Sequence, residues 1–192
     1  LSRGNSIYLI DHVVPMLPVL LSNKLCSLNE GEDRLTLSCI MEIDKSGKVV
    51  EYKICESVIK SSARLVYDDV SNFLENGRGS AKVSAHGDML RDMQELAEIL
   101  RKAREELGSI DFDIDEAEFE IDKDGVPIDI FLSERRTANR LIEEFMLIAN
   151  RTVAEHYFWM EYPFIYRVHE KPLPEKVMEL KAFLKGIGLS LP

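Results

Sequence analysis

The densest group of side chains that could bind a metal ion is an acidic run between residues 111 and 124. Its members are Asp111, Asp113, Asp115, Glu116, Glu118, Glu120, Asp122 and Asp124. A calcium-binding EF-hand loop requires glycine at its sixth position, and Glu116 occupies that position here. Alternation along a strand would turn these carboxylates toward water. We therefore interpret the run as a solvated face rather than a metal site.

One carboxylate of the strongest helical pattern, Glu143, lies on neither of the two main faces of that helix. A helical wheel with about 100° per residue gives one apolar face: Leu141, Ile142, Phe145, Met146, Ala149 and Val153. A second face carries i,i+4 ion pairs and is expected to be solvated: Arg140, Glu144, Arg151 and Glu155. Glu143 lies at the edge of the core, where a carboxylate needs a partner. Two interpretations stay open: a structural bond to Arg135 or Arg136, or an acceptor for a ligand hydroxyl.

Two tyrosines lie at positions where an aromatic ring is available to a ligand. Tyr8 belongs to an irregular, proline-bent segment, and Tyr67 begins a short helical pattern. Most aromatic side chains are core residues because they bury large areas. A ring beside an irregular segment or at the end of an element can instead stack on a nucleobase, which contributes about 1–3 kcal/mol per base. The residues alone leave both interpretations open.

The composition is that of a globular protein of 192 residues with a formal net charge of −10. This excess of acid argues against a free-standing, non-specific nucleic-acid binder, which needs a basic face. The three cysteines, Cys26, Cys39 and Cys55, argue against a disulfide framework and predict a reducing, cytoplasmic location. The most apolar N-terminal stretch, 7–26, is interrupted by Asp11, His12 and two prolines, so it is predicted to be neither a membrane-spanning helix nor a cleavable signal.

These side chains are predicted to lie on an α+β fold in which antiparallel β-hairpins are packed by three to four helices. Strands are predicted at 34–44 and 48–60, and a second hairpin turns at 122–125 with the same turn chemistry as residues 44–47. Helices are predicted at 67–75, 89–107, 136–159 and 174–186. The Gly- and Ser-rich stretch 76–87 is predicted to be a mobile loop.

Ten short motifs, in order along nearly the whole chain, resemble the ribonuclease II / ribonuclease R family, whose catalytic unit is the RNB domain. They are RGNSIYL at 3–9, VPMLP at 14–18, LSN at 21–23, LCSL at 25–28, EDRL at 32–35, SVIKS at 57–61, ARLVYD at 63–68, GSIDF at 108–112, ANRLIEEFMLIAN at 138–150 and YRVHEKP at 166–172. The chain is most similar to the bacterial ribonuclease R branch. The resemblance implies an RNB-type catalytic domain.

The resemblance also implies an activity: a processive 3′→5′ hydrolytic exoribonuclease that releases nucleoside 5′-monophosphates. Tyr8 matches the tyrosine that stacks on the 3′-terminal nucleotide, and Phe112 matches the phenylalanine that closes the base stack on the other side. Tyr67 and Glu143 match the pair that reads the ribose near the scissile bond. In this pair Glu143 accepts from a 2′-OH, the group by which a protein distinguishes RNA from DNA.

The family uses Mg²⁺, held by an aspartate cluster, to activate water. The aspartate motif D-P-x-x-x-x-D-x-D-D-A is expected before Leu1, and the motif S-P-I-R-R-Y-x-D, with its catalytic arginine, after Pro192. We therefore expect residues 1–192 to be the middle of the RNB domain, without a catalytic residue or a metal ligand, and inactive in isolation. The single-stranded 3′ end of RNA is the expected partner of the parent protein. Uncovered apolar surface predicts self-association of the isolated chain.

A non-enzymatic function is the alternative. The chain would then be an acidic α+β module that binds a protein through the predicted helix 136–159 or through its apolar C-terminal end. An aspartate cluster directly upstream in the parent sequence would favour the nuclease, and its absence there would favour the interaction module.

Overall fold

The computed structural model describes residues 4–111, 116–123 and 125–191, and it divides into two compact units. The larger unit is Leu1–Val153 and the smaller is Ala154–Pro192. Helices and antiparallel sheets make up the chain, so the predicted α+β class is confirmed. Within the described residues, no helix is both long enough and apolar enough to span a membrane.

The described strands form three two-stranded antiparallel sheets. Strands β1 (Ile7–Tyr8) and β2 (Val13–Val14) make a small hairpin in the segment predicted to be irregular, which continues into a π-helical turn at Leu21–Leu25. Strands β3 (Asp33–Ile43) and β4 (Val49–Lys60) form the long hairpin that the sequence predicts. Strands β5 (Glu116–Ile121) and β6 (Pro127–Ser133) form the third.

The two longer hairpins turn by the same local chemistry. Asp44 Oδ1 accepts from the backbone N–H groups of Ser46 (2.8 Å) and Lys48 (3.0 Å), and Gly47 follows with φ +79°. Asp122 Oδ1 accepts from the N–H of Val126 at 2.9 Å, and Gly125 has the same φ of +79°. An aspartate that bonds its own turn, followed by a residue with positive φ, specifies a hairpin locally. This is why the sequence predicted both turns.

Five helices occur in the described residues: α1 (Tyr67–Asn76), α2 (Ala81–Ser84), α3 (Gly87–Glu106), α4 (Thr137–Trp159) and α5 (Pro174–Gly186). The bounds of α1, α3, α4 and α5 agree with the predicted helices to within two residues. The end of α1 is set by Gly77, which caps it with φ +69°. Helix α5 has Pro174 in its first turn, where the missing N–H costs nothing.

The predicted mobile loop at 76–87 is wrong, because this stretch contains α2 and part of the core. Val83 on α2 is only 1% exposed, and it packs in a cluster with Val70, Phe73, Leu90 and Ala138. At Gly87 a Cβ atom would lie 2.7 Å from Phe73 Cζ, so the glycine permits a close approach. The glycines and serines of this stretch therefore serve packing and capping, for which Ser80 Oγ accepts from the N–H of Val83 at 3.3 Å.

The long β3–β4 hairpin is positioned by two of the helices. At Gly47, in its turn, a Cβ atom would lie 2.9 Å from Ala103 Cβ on α3. Farther along the hairpin, the Thr152 hydroxyl of α4 lies 3.4 Å from the Met41 sulfur on β3. Toward the open end of the hairpin, Leu35, Leu37 and Val58 are exposed.

Candidate nucleic-acid interface

Glu143 lies on α4 and is bound by Arg135, the residue two positions before that helix begins. Arg135 donates to Glu143 Oε2 from Nη2 at 2.5 Å and from Nε at 3.1 Å. The side chain of Glu143 remains 35% exposed and that of Arg135 26%. The structural bond to Arg135 that the sequence left open therefore exists, and the carboxylate still faces solvent. The two interpretations of Glu143 are compatible.

Asp111 binds the same guanidinium from the other side. Arg135 Nη1 donates to Asp111 Oδ1 at 2.6 Å, and Arg101 Nη2 on α3 donates to Asp111 Oδ2 at 3.1 Å. The hydrogen bond from Arg135 holds the pKa of Asp111 below its ordinary value of 3.8, and the same contacts raise the pKa of Arg135. Asp111 is exposed, as expected of the acidic run, but two arginines bind it. It joins α3 to the segment that begins α4.

Glu144 was predicted on the solvated face of α4, and this prediction is wrong. Its residue is only 4% exposed, and its partner is Arg104 of α3, whose Nη2 donates to Oε1 at 2.6 Å and whose Nε donates to Oε2 at 3.3 Å. Arg104 also donates to the Ser109 hydroxyl. The buried face of α4 is formed by Ala138, Leu141, Glu144 and Thr152, while Met146, predicted to be core, is exposed. A buried carboxylate is tolerated here because a bidentate guanidinium neutralises it.

Tyr67 is the first residue of α1, and its ring is half exposed, as expected of a residue at the start of an element. Its helix is joined to the start of α4 by Glu75, which accepts from Arg136 Nη2 at 2.6 Å and from the Thr137 hydroxyl at 2.8 Å. The N–H of Ala138 donates to the fully buried Ser71 Oγ at 3.2 Å. The structure therefore connects the two helices that carry Tyr67 and Glu143.

Tyr8 is in β1 and is 79% exposed, which leaves its ring free to stack. Its hairpin is closed by the N–H of Leu9, which donates to the carbonyl of His12 at 2.9 Å. Within the described part of the chain, no hydrogen bond or ring contact joins Tyr8 to Arg135, Glu143 or Asp111. Phe112, the fourth predicted substrate-binding residue, lies outside the described residues.

The sequence reasoning missed Arg101 and Arg104 as members of this site. Both lie on α3 and bind carboxylates that are 10 and 40 residues away along the chain. The available signal was chemical: a carboxylate at the edge of a core needs a cation. Spacing on one helix cannot identify that cation when it comes from a different element.

The smaller unit carries an aromatic cluster of its own. Tyr157 stacks on Phe164 with ring centroids 5.0 Å apart, and Phe158 lies edge-on to Trp159 at 5.2 Å. A cavity of about 520 Å³ is lined by Tyr157, Phe158, Trp159, Glu161, Tyr162 and Tyr166. No charged group of the network described above belongs to this unit.

The described residues contain no group of three or more His, Cys, Asp or Glu side chains arranged to hold a metal ion. Glu143 and Asp111 are each committed to Arg135, and a cation next to that guanidinium would be repelled. These residues therefore do not suit a Mg²⁺ ion, whose ligands the resemblance places elsewhere in the parent protein.

A family model and several individual proteins match the chain over nearly its whole length. The RNB domain family model matches residues 1–191. Ribonuclease R of Thermotoga maritima is 48% identical over 188 residues, which are 97% of this chain and 26% of that protein. Ribonuclease R of Escherichia coli is 37% identical over 195 residues, covering 100% of this chain and 24% of that protein. The chain thus spans about a quarter of the length of these relatives.

Solved structures agree with this assignment. Ribonuclease R of Mycoplasma genitalium, in complex with ribose-methylated single-stranded RNA, is similar with a TM-score of 0.89 and 32% identity over 98% of this chain and 29% of that one. Yeast Ssd1, a pseudonuclease, shares the fold with a TM-score of 0.70 and 20% identity over 97% of this chain and 22% of that one. The predicted RNB-type fold is confirmed, and the chain belongs to the RNB domain family.

Proposed function

We propose that this chain is the part of a processive 3′→5′ hydrolytic exoribonuclease that receives the 3′ end of single-stranded RNA. Its parent protein would release nucleoside 5′-monophosphates and would use Mg²⁺ held by residues other than those described here. Membership of the RNB family and the relatives named ribonuclease R support this proposal. A relative solved with single-stranded RNA supports RNA as the ligand. We also propose a cytoplasmic location, which the free thiols of Cys26, Cys39 and Cys55 support.

The observation that carries the proposal is the geometry of Glu143. Its Oε2 atom is occupied by Arg135, while its side chain remains partly exposed and can accept a further hydrogen bond. An ionised carboxylate accepts hydrogen bonds and donates none, so its natural ligand is a hydroxyl or an N–H group. A ribose 2′-OH is such a donor, and reading it selects RNA over DNA. Tyr8 and Tyr67 contribute exposed rings for base and sugar contacts.

The chain supplies recognition without hydrolysis in this proposal. We expect the purified chain not to degrade a poly(A) oligonucleotide in the presence of Mg²⁺. Mg²⁺-dependent release of nucleoside 5′-monophosphates by the chain alone would contradict this part of the proposal.

The recognition itself is tested in an exchange protein, defined as Thermotoga maritima ribonuclease R in which the 188 matched residues are replaced by this chain. Tyr8→Ala and Glu143→Ala should each weaken binding of an RNA 3′ tail about tenfold, because each removes a stack or a charged hydrogen bond. Tyr52→Ala and Glu95→Ala, which change an exposed tyrosine and an exposed glutamate elsewhere, are the matched controls. Unchanged affinity in both test variants would refute the recognition roles. Capture of a protein partner by such an exchange protein, without RNA binding, would favour the interaction module.

A further inference from the structure

Arg135 connects two carboxylates through three different nitrogen atoms. Nε and Nη2 donate to Glu143 Oε2, and Nη1 donates to Asp111 Oδ1 at 2.6 Å. A guanidinium is planar, and its donors form a fixed fork. Two donors of that fork converge on Oε2 of Glu143, so this oxygen atom is held in place.

The two carboxylate oxygen atoms of Glu143 differ in their hydrogen bonds. Both donors from Arg135 reach Oε2. No hydrogen bond from another described residue reaches Oε1, so this atom can accept from a ligand. A glutamate without such a partner would sample several rotamers, and ordering it on binding would reduce affinity. Arg135 removes that cost before the ligand arrives.

Arg135 is itself held in place by Asp111, which also binds α3. Asp111 accepts from Arg135 through Oδ1 and from Arg101 on α3 through Oδ2, so the guanidinium is fixed between α3 and α4. The same ionic network therefore joins Asp111, after the end of α3, to the carboxylate on α4.

We propose that Arg135 is a positioning residue for ribose recognition: it orients Glu143 so that Oε1 accepts the 2′-OH of the bound RNA end, and Asp111 in turn orients Arg135. This inference rests on the proposed function, because it assigns Arg135 a role through Glu143. Arg135 does not touch the RNA in this proposal. Its effect must therefore disappear when Glu143 is absent.

The test measures discrimination by the exchange protein, defined as the ratio of its affinities for an all-ribose oligonucleotide and for the same oligonucleotide with 2′-deoxyribose near its 3′ end. Glu143→Ala should lower this ratio about tenfold, as the loss of a charged hydrogen bond does. Arg135→Ala should lower it by a similar factor. Arg135→Lys should lower it less, since lysine keeps the charge but not the fork. Because both affinities are measured on one protein, a reduced folded fraction cancels from the ratio.

The control is Arg91→Ala. It removes a guanidinium of α3 whose partner is Asp88 rather than Glu143. This variant should leave the discrimination ratio unchanged. The double variant Arg135→Ala/Glu143→Ala should match Glu143→Ala alone, because a positioning residue has no effect without the group that it positions.

The outcomes separate this inference from the proposed function. If Glu143→Ala leaves discrimination intact, Glu143 does not read the ribose and the proposed function fails. If Glu143→Ala abolishes discrimination but Arg135→Ala does not, only the positioning role is refuted. A further loss in the double variant would also refute it, because Arg135 would then act on the RNA independently.

Discussion

Adjacent glutamates on α4 have opposite surroundings, although they differ by only one position. Successive helical residues are rotated by about 100°, which is enough to place Glu144 in the interior and leave Glu143 at the surface. Each binds its own arginine: Arg104 for Glu144 and Arg135 for Glu143. The first pair joins α3 to α4, whereas the second is available to a ligand.

We expect Glu144→Gln to destabilise the chain more than Glu143→Gln does. Removing one partner of a fully buried pair costs about 3–5 kcal/mol, and exposed pairs contribute about 0.2–1 kcal/mol. The Arg104–Glu144 pair lies between these limits because Arg104 keeps some contact with water. The free energy of unfolding, measured by urea titration, should fall by about 2 kcal/mol for Glu144→Gln. It should fall by less than about 1 kcal/mol for Glu143→Gln, since Arg135 keeps Asp111.

Equal losses of unfolding free energy in the two variants would show that Glu144 is no more buried than Glu143. We expect the two variants to rank in the opposite order in RNA affinity, measured in the exchange protein. Glu143→Gln should weaken RNA binding, and Glu144→Gln should leave the affinity of the folded fraction unchanged. Measurements at these two adjacent positions therefore separate a residue that stabilises the fold from a residue that recognises RNA.

At the scale of elements, the sequence predicted what local chemistry determines. The hairpin turns at Asp44 and Asp122 follow from an aspartate and a glycine within four residues, and the end of α1 follows from Gly77. Helix α2 was missed because four residues show no periodicity, and Val83 is buried only by contact with distant elements. Tertiary packing of this kind cannot be read from a local pattern.

The candidate site was predictable to a similar extent. Motif resemblance selected Tyr67 and Glu143, and helical geometry singled out Glu143 as needing a partner. Arg135 was one of two partners considered for it, and the structure chooses it. The contributions of Arg101 and Arg104 were not predictable, because they depend on how α3 packs beside α4.

The contact between α3 and the start of α4 through Asp111 should make the stability of the chain depend on acid. The hydrogen bond from Arg135 lowers the pKa of Asp111 below 3.8 in the folded state. A carboxyl with a lowered folded pKa contributes stability that is fully present above its unfolded pKa. This contribution is lost as the pH falls through the folded pKa. We therefore expect the unfolding free energy to decrease as the pH falls from about 5 through the folded pKa of Asp111, which lies below 3.8.

Asp111→Asn should flatten this decrease, because asparagine does not titrate and the variant lacks the stabilising charge at every pH. Urea titrations at pH 3, 5 and 7 compare the two chains, and Asp92→Asn changes an exposed aspartate of α3 as the control. A profile for Asp111→Asn that parallels the unmodified chain would show that Asp111 does not couple α3 to α4.

At the scale of the whole molecule, acidic charge and uncovered apolar surface occur together. The net charge of −10 opposes association of the chain with itself or with RNA. At the open end of the β3–β4 hairpin, however, Leu35 is 87% exposed, and Val58 lies opposite it in the strand register. Leu37 extends the same face. An apolar sheet face of this kind associates with another surface when one is present.

We expect the purified chain to self-associate through this face, with a measured mass above 22.0 kDa that rises with protein concentration. The double variant Leu35→Glu/Val58→Lys should return the mass toward that of the monomer. Both side chains are exposed, so the change removes no core packing, and the new charges are opposite across the strand pair.

Leu107→Glu, at an exposed leucine directly after α3, is the control and should not change the association. Sedimentation velocity over a hundredfold concentration range measures all three proteins, and raised salt should strengthen association of the unmodified chain by screening its negative charge. A constant mass of 22.0 kDa for the unmodified chain would show that its charge outweighs the attraction between its apolar faces.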